Sequence, residues 1–278
     1  MTLIKKFFTY LQTHSLRSTM ARSLRTAIFF IKKYLGLKDP ISRRIEYLDK
    51  VNAKAFNYQV KYGPFSGLKF SKDSWWGLST THLIGIYEKE ILDSLIESSG
   101  QYGNFINIGA ADGYYAIGVL VNNTFNKSYC YEISSKGRKM ILDNAKLNNV
   151  SDRVVINAEA KSDFYNDFSE NELKDSVLFV DIEGAEFDFF TNKVLTAFAN
   201  SLIYIEIHDW FFEDGEKKYK DLLTICKNLF KVTFFTTTSR DISVFPEFNE
   251  YNDNDRWLLC SEGRERLMTW IKLEPKDN

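Results

Sequence analysis

The chain has 278 residues, of which 44% are hydrophobic and 26% charged, which excludes a globally disordered protein. Its net charge of −1 hides an asymmetry, because residues 1–38 hold eight Lys or Arg and no acid, so the remainder carries −9. An acidic main body excludes a nucleic-acid substrate held over a broad basic face. The three cysteines show no metal-ligand spacing and are interpreted as reduced core residues of a cytoplasmic protein: Cys130, Cys226 and Cys260.

Three segments are predicted along the chain. The first, residues 1–38, is a basic amphipathic helical segment. Its longest apolar run, residues 27–31, is too short to cross a bilayer or to form a signal-peptide core. One interpretation is peripheral contact with anionic lipid at the inner face of the cell membrane. The alternatives are ordinary helices packed on the body or on a second copy in a homo-oligomer, and, with a poorer fit, a transit peptide.

Residues 39–100 are the second predicted segment, a helical and hairpin N-terminal extension. Asp39-Pro40 separates it from the basic head. Apolar residues at steps of three and four predict helices over 41–56 and 81–98. Glycine and proline between them predict a β-hairpin over 58–70.

Residues 101–278 are the third predicted segment, in which apolar runs of strand length alternate with stretches of helix length. Strands are predicted at 104–108, 128–131, 153–158, 176–180, 201–205, 232–235 and 257–260. Because the first five are each followed by a helical connection, the pattern predicts an α/β fold with a doubly wound, mostly parallel sheet. Ligands in such a sheet bind beyond the carboxyl ends of the strands.

The loop after the first predicted strand is Asn107-Ile-Gly-Ala-Ala-Asp-Gly113. Gly109 and Gly113 allow close backbone approach, and Glu132 after the second strand can accept hydrogen bonds from both hydroxyls of a ribose. Asp112 would repel a pyrophosphate but suits the ammonium and sulfonium groups of S-adenosyl-L-methionine (SAM). The loop therefore predicts SAM rather than NAD, and Glu159 after the third strand is placed near the adenine amino group.

The fourth predicted strand ends at Asp181, with Glu183 and Glu186 close behind it. Clustered carboxylates are costly unless a cationic cofactor, a metal ion or a basic substrate offsets their charge. We interpret Glu186 as an acid of the first helical turn, favoured by the helix dipole. Asp181 and Glu183 remain candidates for the catalytic centre.

The fifth predicted strand ends with Glu206, His208 and Asp209. His208 is the one histidine of three, with His14 and His82, that is expected at the site. Its pKa near neutrality suits it to take the proton from a substrate hydroxyl, with Asp181 orienting the ring. Alternatively, Asp181, Glu206, His208 and Asp209 together offer the ligands of a divalent metal, although the sequence does not define their geometry.

Four stretches resemble, in this order and spacing, the FkbM-type class I SAM-dependent methyltransferases: INIGAADGYY, YEISSKGRKMILDNAKLNN, VDIEGAE and IYIEIHD. Upstream, YGPFSGLKF and LIGIYEKEI are similar to members encoded in bacterial surface-polysaccharide gene clusters, which are generally thought to methylate sugars. The resemblance implies a Rossmann-like sheet of seven strands. Residues 232–235 and 257–260 would be its last, antiparallel pair.

The resemblance also implies roles for single residues. Gly109, Ala110, Asp112 and Gly113 would cradle the methionine part of SAM, and Glu132 would hold the ribose, with Ile133 in the same cofactor site. Tyr87 and Glu88 would close over the cofactor. The family usually has Asp at the position of Asn107, which implies either a weaker affinity for the cofactor or a negative charge supplied by Asp112 and Asp181 instead.

The predicted reaction is methylation of a sugar hydroxyl in a bacterial surface glycan, O-antigen or capsule, or in its precursor. Trp75-Trp76, Trp210-Phe211-Phe212 and residues 236–255 would surround the acceptor. One alternative is methylation of a non-sugar group, such as a phosphoramidate or a lipid headgroup. The other is a SAM-binding or scaffold protein without catalytic activity.

Overall fold

The computed structural model describes residues 39–72, 77–264 and 266–276. The predicted basic segment 1–38 and the Trp75-Trp76 pair lie outside the described residues. The chain divides into the units Met1–Tyr47 and Leu48–Asn278, and the sheet and cavity described below belong to the second unit. Within the described residues, no helix is both long enough and apolar enough to cross a membrane.

Among the described residues, seven strands form one sheet in the order β3-β2-β1-β4-β5-β7-β6. Strands β1 to β5 pair in parallel, and β7 runs antiparallel to both β5 and β6. This arrangement confirms the predicted seven-stranded, mostly parallel sheet. The strand order reverses between β1 and β4, which is where doubly wound folds bind their ligands. The strands are β1 Asn104–Ile108, β2 Lys127–Tyr131, β3 Val154–Asn157, β4 Ser176–Val180, β5 Leu202–Ile207, β6 Phe230–Thr236 and β7 Thr269–Pro275.

Helices cover both faces of this sheet. Phe105 of β1 packs in one apolar cluster and its neighbour Ile106 in the other, and every residue of β4 and β5 is buried. In strands covered on both faces most side chains pack in the core, so ligand-binding groups come from the ends of the strands and the loops that follow them. The α-helices of the described residues are α1 Pro40–Ala55, α2 Thr80–Leu83, α3 Lys89–Glu97, α4 Tyr114–Val121, α5 Ser135–Leu147, α6 Glu170–Lys174, α7 Glu186–Phe189, α8 Asn192–Ala197, α9 Gly215–Leu229 and α10 Asp253–Leu259.

The hairpin predicted over residues 58–70 is confirmed by its backbone pairing. The amide of Val60 donates to Leu68 O at 2.8 Å, and the amide of Phe70 donates to Tyr58 O at 2.8 Å. The helix predicted over 41–56 is also confirmed, as α1. Cys130 and Cys226 are buried as expected, whereas Cys260 is half-buried, and all three are free thiols.

The helix predicted over residues 81–98 is wrong as a continuous element, because it is interrupted between Leu83 and Lys89. Gly85 has a φ of +71° and lies so close to the hairpin that a Cβ would be 2.0 Å from Tyr62 O. Glu88 has a left-handed φ of +46°. A tertiary contact therefore overrides the helical pattern, and it places Tyr87 and Glu88 in a turn that a helix could not form.

The strand predicted over residues 257–260 is also wrong. These residues belong to the end of α10, which Asn252 caps by accepting from the amide of Asp255 at 3.0 Å. A short apolar run cannot be assigned to a strand or a helix by periodicity alone. The predicted antiparallel pair exists, but its second member is β7, whose Trp270 and Ile271 are fully buried.

Candidate active site

A cavity of about 1010 Å³ opens at the carboxyl ends of the parallel strands, at the point where the strand order reverses. Its wall is formed by loops that follow β1, β2, β3, β4 and β5, together with the segment before β7. The cavity brings together eight of the residues predicted for the site: Tyr87, Gly109, Glu132, Ile133, Glu159, Asp181, Glu183 and His208.

The other predicted residues lie behind the wall of this cavity: Glu88, Asn107, Ala110, Asp112 and Gly113. The side-chain amide of Asn107 donates to Phe179 O at 3.4 Å, between β1 and β4. The backbone carbonyl of Asp112 accepts from Asn144 Nδ2 at 2.9 Å. These residues support the loop from the side away from the cavity. The side chain of Asn107 forms a hydrogen bond within the sheet.

The loops after β1 and β2 form what we call the cofactor half, residues 109–113 and 132–134. Glu132 Oε2 accepts from the amide of Ala111 at 2.9 Å, and Oε1 accepts from the amide of Ser134 at 2.7 Å. Ala111 has a left-handed φ of +49°, a strained conformation for a residue with a side chain. A carboxylate offers about four acceptor positions, so Glu132 retains capacity for two ribose hydroxyls.

Gly109 lies where the loops after β1 and β4 touch. Its φ is +83°, and a Cβ at this position would be 1.8 Å from Asp181 O. From the sequence, we attribute the need for glycine at position 109 to the close approach of a ligand. The structure adds a second requirement, since the backbone of the neighbouring loop leaves no space for a side chain.

The loops after β4 and β5 form the reactive half, which we define as Asp181, Glu183, Glu206 and His208. The Nε2 atom of His208 lies 3.6 Å from Asp181 Oδ1, 3.6 Å from Glu183 Oε2 and 3.6 Å from Glu206 Oε2. The side chains of His208 and Glu206 are each 2% exposed, whereas that of Glu183 is 58% exposed. Three carboxylates thus surround one buried imidazole nitrogen.

Glu186 lies in the first turn of its helix as predicted, and its carboxylate also orients this cluster. It belongs to α7 and is fully buried. Its Oε2 accepts from the amide of Gly184 at 2.8 Å and its Oε1 from the amide of His208 at 2.7 Å. Oε1 also lies 3.4 Å from His208 Nδ1. No signal in the sequence distinguishes this acid from an exposed one at a helix start.

The charges of the cluster shift its protonation equilibria. Burial raises the pKa of Asp181, against the opposing effect of the His208 charge, and burial followed by the charge of Asp181 raises the pKa of Glu206 well above its usual range. Burial lowers the pKa of His208, but the neighbouring carboxylates of Glu186 and Asp181 outweigh it, so the pKa is raised. Protons are therefore shared within the cluster, and no member behaves as an isolated group.

Arg264 is a site residue that the sequence analysis missed. It donates to Glu206 Oε1 at 2.8 Å and to the hydroxyl of Tyr87 at 2.9 Å, and it forms an ion pair with Glu88. Burial, opposed by the Arg264 charge, raises the pKa of Glu88 to about 7. Arg264 lies in the segment before β7, and placing the last strand at 257–260 hid its position.

Aromatic side chains stand beside the reactive half. The Phe211 ring is parallel to the His208 ring at 5.8 Å, and the Trp210 ring lies 5.2 Å from it. The guanidinium of Arg266 lies 4.5 Å from the centre of the Trp210 ring. Trp210 and Phe211 line the cavity as predicted, but Phe212 and residues 236–255 do not. The residues that take their place are Gly263, Arg264, Arg266 and Met268.

Within the described residues, one group has the composition of a metal site. Ligand atoms of Asp181, Glu206 and His208 all lie within 4.8 Å of one another. Asp209, the fourth ligand considered from the sequence, is not part of the group and does not line the cavity.

Comparison with known proteins adds independent observations. A family model described as the methyltransferase FkbM domain matches residues 89–232, more than half of the chain. A search of curated proteins gave no match.

Similar solved structures include an O-methyltransferase of Bacillus cereus in complex with SAH (16% identity, 89% of this chain and 96% of that chain, TM-score 0.46). Another is cofactor-bound Rv0187 from MTB (12% identity, 90% of this chain and 97% of that chain, TM-score 0.47). A third is Sp1610 of Streptococcus pneumoniae in complex with S-adenosyl-L-methionine (10% identity, 68% of this chain and 73% of that chain, TM-score 0.46).

Proposed function

The chain belongs to the methyltransferase FkbM family, and from this premise we propose that it transfers the methyl group of SAM to a sugar hydroxyl of a bacterial surface glycan or glycan precursor. The observation that carries the proposal is the shared cavity, in which Glu132 of the cofactor half and His208 of the reactive half both take part. A methyl donor and a proton acceptor can therefore meet in one enclosed space.

SAM would lie along the cofactor half. Glu132 would accept from the ribose hydroxyls, and the backbone of Gly109 and Ala111 would contact the methionine part. Ile133 and Glu159, which line the cavity beyond Glu132, would contact the adenine. The carboxylate of Asp181 would stabilise the sulfonium, which supports a cationic cofactor in this acid-lined space.

Methyl transfer would proceed by positioning and proton removal. The hydroxyl oxygen attacks the methyl carbon, the carbon–sulfur bond breaks with its electrons on sulfur, and S-adenosylhomocysteine leaves. The hydroxyl proton passes to the Asp181–His208 pair. The raised pKa of the Asp181 carboxyl makes it a better proton acceptor than an ordinary carboxylate. Phe211, half exposed at the cavity, would pack against the apolar face of a sugar ring.

A second candidate acceptor carries an anionic group, as a phosphoramidate or a lipid headgroup does. Arg266 favours it, because its exposed guanidinium lines the cavity beside Trp210. Planar guanidinium groups bind phosphoryl oxygens in a bidentate manner. An Arg266→Ala variant would then raise KM for phosphorylated acceptors but leave KM for neutral glycans unchanged.

Calorimetry with the full chain tests the cofactor, and transfer of a tritiated methyl group to isolated surface glycans tests the reaction. We expect binding of SAM and S-adenosylhomocysteine but not NAD. The variant His208→Ala should lower turnover by about 10²- to 10⁴-fold and leave SAM affinity nearly unchanged. Asp209→Asn, next in sequence but outside the cavity, is the matched control. If the protein bound NAD but not SAM, the proposal would be overturned. Full activity of His208→Ala would overturn the role of His208 as proton acceptor.

A further inference from the structure

We infer that Asp181, Glu206 and His208 form a binding site for one divalent first-row metal ion, of which Mn²⁺ is the probe used below. The inference deepens the proposed function, and it rests on that function only for what the ion does in the reaction. Asp181 follows β4, Glu206 lies near the end of β5 and His208 follows β5, and their ligand atoms lie within 4.8 Å of one another.

The distances in the cluster suit an intervening ion better than direct contact. His208 Nε2 lies 3.6 Å from one oxygen of each of three carboxylates: Asp181, Glu183 and Glu206. Each separation exceeds the usual hydrogen-bond limit of about 3.2 Å. Metal–ligand bonds of about 2.0–2.2 Å place neighbouring ligand atoms about 3 Å apart. A contraction of roughly half an ångström would bring each of these oxygens to the separation from Nε2 that two ligands of one ion have.

The environment of His208 is an independent observation that points to a ligand. Its side chain is 2% exposed, and Nδ1 makes no hydrogen bond within the described residues. Nδ1 lies 3.4 Å from Glu186 Oε1, an oxygen already held by the backbone amide of His208. In the neutral imidazole with its proton on Nδ1, on the side of this carboxylate, the lone pair of Nε2 faces the cluster. Metal-binding histidines usually have such a carboxylate behind them.

Two carboxylate oxygens of the cluster, one of Asp181 and one of Glu206, face His208. Arg264 donates to Glu206 Oε1 at 2.8 Å, which leaves Oε2 as the oxygen near His208. Asp181 Oδ1 is buried and makes no hydrogen bond within the described residues. Neighbouring carboxylates repel one another at this distance. A divalent ion would satisfy both oxygens and offset the remaining charge.

The ligand set selects among metals. One imidazole nitrogen with carboxylate oxygens favours ions such as Mn²⁺ over Ca²⁺, which prefers oxygen alone. Three protein ligands leave positions open for the acceptor hydroxyl, whose pKa the ion would lower. Because Asp181 and His208 would then be ligands, the hydroxyl proton would go to the exposed carboxylate of Glu183, and this route would replace transfer to the Asp181–His208 pair. The oxygen would form its bond to the methyl carbon, and the carbon–sulfur electrons would remain on sulfur.

Electron paramagnetic resonance on the full chain, freed of metal by chelation and titrated with Mn²⁺, tests the site. We expect about one bound Mn²⁺ per chain, with coupling to a nitrogen nucleus that disappears in His208→Ala. Asp181→Asn should weaken Mn²⁺ affinity by about tenfold or more, whereas Asp209→Asn should leave it unchanged. Thermal melts of each variant identify any that fail to fold. Absence of binding at millimolar Mn²⁺, or binding that both His208→Ala and Asp181→Asn retain, would overturn the inference.

Methyl transfer after chelation tests the role of the ion. Turnover should fall on chelation and return with Mn²⁺ but not with Ca²⁺. Turnover that survives complete chelation would overturn the catalytic role of the ion and leave the proposed function intact. Conversely, Mn²⁺ binding in a protein that transfers no methyl group to any glycan would count against the proposed function and leave the metal site standing.

Discussion

The two halves of the cavity use their polar groups in different ways. In the cofactor half, both oxygens of Glu132 accept from backbone amides, those of Ala111 and Ser134. In the reactive half, His208 Nδ1 and Asp181 Oδ1 are buried without hydrogen bonds in the described residues, and the Nε2 contacts are 3.6 Å long. The polar groups of the cofactor half are hydrogen-bonded to the protein backbone, whereas the reactive half contains buried polar atoms without a hydrogen-bond partner in the described part of the chain.

This difference teaches how a single cavity can combine firm binding with chemistry. Groups that already have hydrogen-bond partners hold their geometry before the ligand arrives, which lowers the entropic cost of binding. Groups without partners carry a free-energy cost that a proton, an ion or a substrate can relieve. Free energy that is unfavourable in the resting protein is thereby available to stabilise the reacting state.

The largest expected effect comes from Gly109→Ala, which would break the contact between the halves. The new Cβ would meet Asp181 O at 1.8 Å, so the loop after β1 or the loop after β4 must move. We expect a loss of unfolding free energy well above the roughly 1 kcal/mol that a left-handed glycine alone commands. Urea denaturation measures it.

Gly100→Ala is the matched control, because Gly100 has a φ of +79° and no atom within 4 Å of the added Cβ. Its loss of stability therefore reports backbone strain without the clash. Equal losses for the two variants would mean that the approach to Asp181 does not constrain the loop.

The second expected effect is a dependence of stability on pH that is caused by the titration of Glu88, the partner of Arg264. Its pKa is raised from 4.5 to about 7 in the folded protein, chiefly by burial. Between these values the unfolded chain loses the proton first, so wild-type stability falls as the pH rises. Glu88→Gln lacks this titration. As the pH rises over that range, its free energy of unfolding relative to that of the wild type should therefore increase by up to about 3 kcal/mol.

Glu90→Gln should show the opposite slope, although Glu90 is only two residues away. Burial opposes ionisation of Glu90, but the hydrogen bonds from Arg240 and Thr238 and the Arg240 charge together outweigh it, so the pKa of Glu90 is lowered. Its contribution to stability is present above the unfolded pKa and is lost as the pH falls through the folded value. Chemical denaturation at several pH values measures the unfolding free energy of each variant relative to the wild type. If this difference changed with pH in the same direction for Glu88→Gln and Glu90→Gln, the assignment of charges would be contradicted.

The third and smallest effect separates the halves by function. Glu186→Gln places an amide donor against the backbone amide of either Gly184 or His208, and it should lower turnover by about 10- to 100-fold with SAM affinity unchanged. Glu132→Gln should lower SAM affinity by about tenfold, or about 1.4 kcal/mol, with turnover at saturating SAM nearly unchanged. Calorimetry and steady-state kinetics measure the two quantities.

Glu172→Gln controls for the chemical change itself, since Glu172 accepts hydrogen bonds from Ser169 on an exposed helix start. We expect it to change neither kinetic quantity, because Glu172 lies outside the cavity. If Glu186→Gln weakened SAM binding as much as it slowed turnover, the two halves would not be separable.

Much of the fold could be predicted because burial on both faces makes a parallel strand an uninterrupted apolar run. The five parallel strands, the hairpin over 58–70 and the positions of Glu132, Asp181 and His208 after their strands all follow from that pattern. The break between Leu83 and Lys89 does not, since it depends on the approach of Gly85 to Tyr62. The last strand was misplaced because short apolar runs suit a helix end equally well.

The sequence by itself determined which residue types follow each strand, because hydrophobic period and turn residues are local properties of the chain. It thereby assembled Gly109, Glu132, Asp181 and His208 at one edge of the sheet. Only the tertiary structure decided how these groups are partnered. Glu186 behind His208 and Arg264 beside Glu206 are separated by 22 and 58 residues from the groups they contact. Hydrogen bonds and charge pairs depend on distances between side chains, which folding sets and local sequence does not encode.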